Sequence, residues 1–185
     1  GVETYSGHVW VIDGATLYWT APGSMDDFST SNGGGNQTSS DSHLKVQFTQ
    51  LIAANGFLYL IGDSSVQYIS GVQTAGSPPM TSFTNVDADI EVGSPYPQSV
   101  IPFGRNVLMA NSYGIHTIKG GAVNKVSEML DGLYSSGVFG SLQLSAAQAT
   151  LFGSRIWMML IRLVNPVTGT TENKIAMWDG DKNWW

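Results

Sequence analysis

Four times in this chain a glycine is followed by a short strand, a tight turn and a second strand. The four glycines, Gly7, Gly56, Gly104 and Gly153, stand 49, 48 and 49 residues apart. The first copy, Tyr5–Thr20 (YSGHVWVIDGATLYWT), shows the grammar most plainly. Val9 and Val11, then Leu17 and Trp19, alternate with other residues, and Asp13-Gly14 sits between the two runs as a hairpin signal. Ile52–Ser70 and Val100–Lys119 repeat it. Ala149–Met177 repeats it again with an inserted loop, Asn165–Asn173, turned by Pro166 and Gly169. A period near fifty residues filled with short strands is the pattern of a β-propeller, whose blades bury their faces only by stacking on neighbours. The fold class expected is therefore all-β, a propeller or partial propeller of about four ~49-residue hairpin repeats in a single domain over residues 1–185. An antiparallel β-sandwich with similar hairpins is the alternative.

Composition agrees with an all-β chain. Glycine numbers 22, and Asp, Glu, Lys and Arg together make up 12% of the 185 residues, about half the usual share. Cysteine is absent, which removes disulfides, thiolate catalysis and cysteine metal sites. The most apolar run, Ile156–Val164, is nine residues long and contains Arg162. That is too short for a bilayer-spanning helix, so a buried strand is expected there and no membrane partner.

The net charge of −6 is unevenly placed. Residues 1–100 carry nine acids and one base, Lys45, for −8; residues 101–185 carry five acids and seven bases, for +2. A surface that binds nucleic acid by neutralising phosphates is basic, so tight DNA binding is not expected. A negative wall along which DNA slides without sticking is compatible with this balance.

Several connections can be read in order. Ser24, with Asp27 three residues on, is placed to cap one helical turn with Met25 and Phe28 on its apolar side. Residues 29–42 (STSNGGGNQTSSDS) read as a flexible loop. The acceptor triplet Asn36-Gln37-Thr38 inside it is taken as coincidence. Leu44–Phe48 alternates as a strand, and Gly71–Thr84 reads as a Pro- and Gly-bearing connection. Val123–Tyr134, with Val126, Met129, Leu130 and Leu133 at helical spacing, is the best helix candidate. Val138–Ala147 reads as a further strand or extended loop. At the C-terminal end, MWDGDKNWW resembles the closing of a blade, with an aromatic packed between neighbouring sheets.

Candidate chemistry is sparse. Val86–Val92 places Asp87, Asp89 and Glu91 on one face of a strand, the only carboxylates at regular spacing. Such oxygens suit calcium or magnesium, or a glycosidase pair, but cation loops curl around the ion with Gly turns and this stretch reads as extended, so a solvated strand face is the preferred account. Asp26-Asp27 is explained by capping. His8, His43 and His116 are far apart in sequence. No HExxH, GxSxG, P-loop or GxGxxG pattern occurs, and Gly33-Gly34-Gly35 lacks the context of a phosphate cradle. The aromatics Trp10, Trp19, Tyr59, Trp157, Trp178 and Trp184 are expected to pack between blades or to form contact surfaces; surface stacking of Trp19, Tyr113 and Trp184 on sugar rings is the competing use. No cofactor is expected, and a structural or binding module is favoured over an enzyme.

The string VWVIDGATLYWTAPGSMDDFST, then FLYLIGDSSVQYISG, then SPYPQSVIPFGRNVLMANSYGIHTIKGG, resembles the hub or nozzle proteins of short-tailed phages. Members of that family carry a strand, a short turn, a Leu/Ile-Tyr-Trp-Ser/Thr strand, then Pro-Gly and Asp-Phe. The resemblance covers Gly7 to Lys119 and runs more weakly to the end. It implies a propeller fold and a virion structural role: rings of copies around a DNA channel, linking portal to tail and retaining packaged DNA. The implied partners are other virion proteins, with DNA only as channel content. The implied location is the tail, assembled in the host cytoplasm. Family members are longer and have more blades, so a piece of a longer chain is expected. The alternative from another class is a carbohydrate-binding or receptor-binding propeller module.

Overall fold

The computed structural model describes residues 1–38, 47–130, 149–153, 155–164, 168–183 and 185. The protein is all-β. Its strands form four antiparallel sheets, one for each sequence repeat, and every sheet runs as an up-and-down meander. The first holds β1 (Val2–Tyr5), β2 (His8–Asp13), β3 (Thr16–Trp19) and β4 (Gly35–Thr38). The second holds β5 (Phe48–Ala54), β6 (Phe57–Gly62), β7 (Val66–Ala75) and β8 (Met80–Asp89). The third holds β9 (Ile101–Phe103), β10 (Asn106–Asn111), β11 (Gly114–Lys119) and β12 (Ala122–Lys125). The fourth has, among the described residues, three strands, β13 (Ala149–Phe152), β14 (Ile156–Val164) and β15 (Thr171–Asp179).

The periodic glycines occupy one equivalent place. Each lies in the turn between the first and second strands of its sheet, so the repeat begins one strand earlier than the hairpin pattern marks it. Tyr5 pairs with His8 around Ser6-Gly7, and Ala54 pairs with Phe57 around Asn55-Gly56. In both turns the two central residues have positive φ (52° and 80°; 52° and 81°), the type I′ conformation whose twist matches the strands it joins. Glycine takes the second position because a Cβ is penalised there. In the following turn of the first sheet the loop residues are Gly14-Ala15, with Asp13 still paired to Thr16. Positive φ falls on Gly14 and not on Ala15, so the turn is of type II′ and sits one residue later than the Asp-Gly signal.

The described residues form two compact units, Gly1–Gly93 and Ser94–Trp185, with two sheets each. In the first unit the core lies between the sheets: Trp10, Ile12, Leu17 and Trp19 from the first, Leu51, Leu58, Leu60 and Ile69 from the second. In the second unit Leu108, Ala110 and Ile115 of the third sheet meet Trp157, Met159 and Trp178 of the fourth. Strands β6 and β10 are buried along nearly their whole length, which is why FLYLIG and NVLMAN read as unbroken apolar runs.

Four expectations are corrected. Over its described part, residues 123–130, Val123–Tyr134 is not a helix: residues to Lys125 continue as β12 against β11, Val126 N–H donates to Ile115 O, and Glu128–Leu130 turns as 3₁₀. The ladder satisfies these backbone groups and overrides the helical spacing. Residues 131–134, like Val138–Ala147, lie outside the described residues.

Residues 29–42 are not a flexible loop over the part described. Thr30–Asn32 is a 3₁₀ turn and Gly35–Thr38 is β4, paired with β3. The glycines are there for close approach: a Cβ on Gly35 would lie 2.7 Å from Trp19 Cζ2, and one on Gly34 would lie 2.6 Å from the Phe28 carbonyl carbon. Residues 39–46 lie outside the described set, so of the Leu44–Phe48 strand only Gln47 and Phe48 are described, Phe48 as the start of β5.

Gly71–Thr84 is mostly a ten-residue ribbon of β7 and β8, its turn confined to Gly76–Pro79. Finally, Ser24 caps a turn that is not helical. Its Oγ accepts from Asp27 N at 3.0 Å, and Met25 is exposed rather than packed.

Candidate functional site

The carboxylate stretch does not assemble a site. Asp87 lies opposite Gln67 and accepts from Gln67 Nε2 at 2.6 Å. Asp89 lies opposite Val66, and the one-residue bulge between the two pairs leaves Ala88 extra. The bulge ends the alternation that would have put three carboxylates on one face. Asp89 Oδ1 instead accepts from Glu91 N and Val92 N, at 2.8 and 2.9 Å, and so holds the turn that leaves the strand. Glu91 lies beyond the strand. Together these residues line only a shallow, open depression with Ala88 and Ile90. Among the described residues no group of three or more His, Cys, Asp or Glu is placed to hold a metal ion.

The aromatics do converge. Register sets Trp10 opposite Trp19, Tyr59 opposite Tyr68, Val107 opposite Ile118 and Trp157 opposite Trp178. Each is the pair between the second and third strands, just after the periodic glycine. Three of the four repeats fill it with two aromatics.

In the first unit the Trp10 and Trp19 rings lie 5.7 Å apart, and Phe83 of β8 packs edge-on to both, at 5.4 and 5.0 Å. Trp10 Nε1 donates to Tyr5 O at 2.9 Å, and the Tyr5 hydroxyl donates to Gly56 O at 2.7 Å, tying the first sheet to the turn of the second. Burial raises the Tyr5 hydroxyl pKa above its ordinary value. His8 is buried beside this cluster. Its Nδ1 lies 2.6 Å from Thr20 O and its Nε2 3.4 Å from Thr74 Oγ1. Thr74 in turn meets Thr81 at 2.8 Å, and Thr81 Oγ1 donates to Gly33 O. This is a structural chain of side chains binding sheet to sheet.

In the second unit Phe103 stacks on Trp178 at 5.2 Å, and Trp185 packs against Trp157 and Trp178 at 6.0 and 6.4 Å. Trp185 Nε1 donates to Val126 O, just past β12, so this indole joins the third and fourth sheets. Trp184 lies outside the described residues. The turn after β15 is held by Asp179, which accepts from Arg155 Nη2 at 2.9 Å and from Asp181 N and Lys182 N. Burial works to raise the Asp179 pKa. The backbone bond from Asp181, the bonds from Arg155 and Lys182 and the guanidinium charge outweigh it and hold the carboxyl below its ordinary value. Asp27 is also held low, by the hydroxyl of Ser29, the amide of Asn32 and the Ser29 N–H.

Trp10, Trp19, Tyr59, Trp157 and Trp178 are thus all buried, and none presents a ring to a sugar. Tyr113 is exposed. Sequence reasoning missed Phe83, which closes the first cluster, because it sits in a stretch that reads as a connection. It also missed Phe103, whose ring leaves no room for a Cβ on Gly180, at 2.6 Å. Compared with protein-family models and with curated proteins, the chain matches none.

Proposed function

We propose that this chain is a non-enzymatic structural protein of a phage tail, a hub or nozzle component that links portal or adaptor to tail and helps retain packaged DNA through protein–protein contacts. The observation that supports it is the use to which the repeat is put. Each copy forms one up-and-down sheet, and the aromatic pairs of the first and fourth, Trp10–Trp19 and Trp157–Trp178, are spent in the cores that hold sheets together, not on lining a cleft. The polar groups singled out by the sequence are likewise engaged in local bonds: Asp87 with Gln67, Asp89 with its own turn, His8 with Thr20. The work of such a scaffold is done at its surface, against other virion proteins and further copies of itself. DNA passes as channel content beside a chain of net negative charge. The carbohydrate-binding alternative finds less support, since the depression around Asp87, Asp89 and Glu91 has no aromatic lining among the described residues.

Protein identification on purified virions, from a culture carrying the coding sequence, tests the proposal. The chain is expected in particles and in tails isolated after DNA release. Finding it only in the host fraction, and never in particles, overturns the reading.

A further inference from the structure

The fourth sheet carries three exposed large apolar side chains among the described residues. Among the described residues it has three strands where the others have four, and none pairs with the outer edge of β15. Such edges are normally protected by short length, charge or a covering segment. The middle of its face turned away from Trp157 and Trp178 is apolar, with Asp179 at one end and Asn173 towards the other. Register places Thr150, Met158 and Met177 in one row across that face, with Phe152, Ile156 and Asp179 in the next. Phe152 is 65% exposed, Ile175 62% and Met177 54%. Met177 and Ile175 are neighbours on this face, Met158 lies beside Met177, and Phe152 stands across the sheet from them, so the apolar side chains are not isolated ones and mark an interaction surface.

The first sheet has a corresponding face. Opposite the Trp10 side, register sets Val2, Val11, Tyr18 and Asn36 in one row. Val2 is 66% exposed, while Val11 and Tyr18 are half-buried. The units bearing these two faces differ in charge. Residues 1–93 hold nine acids and one base, and residues 94–185 hold five acids and seven bases, giving −8 and +2. Opposite signs favour docking the second unit of one copy on the first unit of another. Docking of either face on its own kind pairs like charges.

The geometry points to a head-to-tail contact between copies of this chain, in which the Phe152, Ile175 and Met177 face of one copy seats on the Val2, Val11 and Tyr18 face of the next. The inference rests on the assembly reading above and names its partner and surfaces. A contact of this kind uses two different patches, so it propagates to a ring or a filament instead of stopping at a dimer.

The test is light scattering on the full chain from about 1 μM to about 1 mM. Wild type is expected to gain mass with concentration. Ile175→Lys and Met177→Lys disable one face, and Val2→Lys disables the other. All three positions are exposed, and circular dichroism confirms that each variant keeps its fold. Each variant alone is expected to self-associate more than about tenfold more weakly. An equimolar mixture of Ile175→Lys and Val2→Lys is expected to form a dimer and nothing larger, because one intact face of each kind remains. A wild-type chain that stays monomeric overturns the inference, as does continued dimerisation of Val2→Lys alone, which would mean like faces pair. Either result leaves the virion experiment to decide the tail role separately.

Discussion

Trp10 and Trp19 stand directly opposite each other across the β2–β3 ladder, with ring centroids 5.7 Å apart, and the edge of Phe83 closes on both from the second sheet. This three-ring contact is where one repeat is fastened to the next. Phe83→Ala is expected to lower stability by about 2–3 kcal/mol, from lost burial and the cavity left behind. Part of that is the specific edge-on contact. A double-mutant cycle with Trp19→Ala, read from urea unfolding, is expected to give a coupling of about 0.5–1.5 kcal/mol. Simple additivity would show that Phe83 only fills space.

The Gly33-Gly34-Gly35 run is expected to be intolerant of side chains, although it reads as low complexity. Gly35→Ala would put a Cβ 2.7 Å from Trp19 Cζ2 and 3.0 Å from Cε2, both on a ring already fixed by Trp10 and Phe83. A cost of about 1–3 kcal/mol is expected. Asn36→Ala, one residue on and exposed, is expected to stay within about 0.5 kcal/mol. Equal urea midpoints for the two variants would return this segment to the status of an unconstrained loop.

These two cases show what was legible. The turn glycines and alternating apolars are local signals, and they located the second and third strands of all four sheets. The first strands were harder. Val2–Tyr5 and Ile101–Phe103 are three or four residues long, and their pattern has meaning only against the neighbour they pair with. The helical spacing of Val126, Met129 and Leu130 misled for a related reason: the β11 ladder extends to Lys125, and a pairing between strands is not written in either strand alone. Gly35 and Phe83 belong to the same class. One is a glycine that a distant indole requires, and the other is an aromatic in a Gly- and Pro-bearing stretch. The acidic alternation at Asp87–Glu91 was read correctly as a pattern, but the bulge at Ala88 breaks the face it implied.

Tyr5→Phe isolates one polar tie between the first and second sheets. The ring stays, and only the hydroxyl that donates to Gly56 O at 2.7 Å is lost. The expected loss is about 0.5–1.5 kcal/mol. Because Gly56 sits in the Asn55-Gly56 turn, amide exchange at Phe57 and Leu58 is expected to quicken more than exchange in β3. Uniform acceleration across the first unit would mean that the hydroxyl acts through global stability alone.

Asp179 gives the clearest pH dependence. Its folded pKa lies below the ordinary 3.8, so the folded state binds its proton less readily than the unfolded chain does. The carboxylate's stabilising contribution is therefore complete above the unfolded value. It is lost as pH falls through 3.8 and on through the lower folded value. Asp179→Asn keeps a side-chain oxygen for the N–H groups of Asp181 and Lys182 and removes the charge that faces Arg155. The variant is expected to unfold at lower urea than wild type at neutral pH. That gap is expected to close as both are taken well below pH 3.8, where the wild-type carboxyl is itself neutral. Added salt at neutral pH is expected to narrow the gap as well, because Arg155 is nearly half exposed and its attraction is screened. A gap that held constant from neutral to acid pH would place the role of Asp179 in its shape and hydrogen bonds, not in its charge.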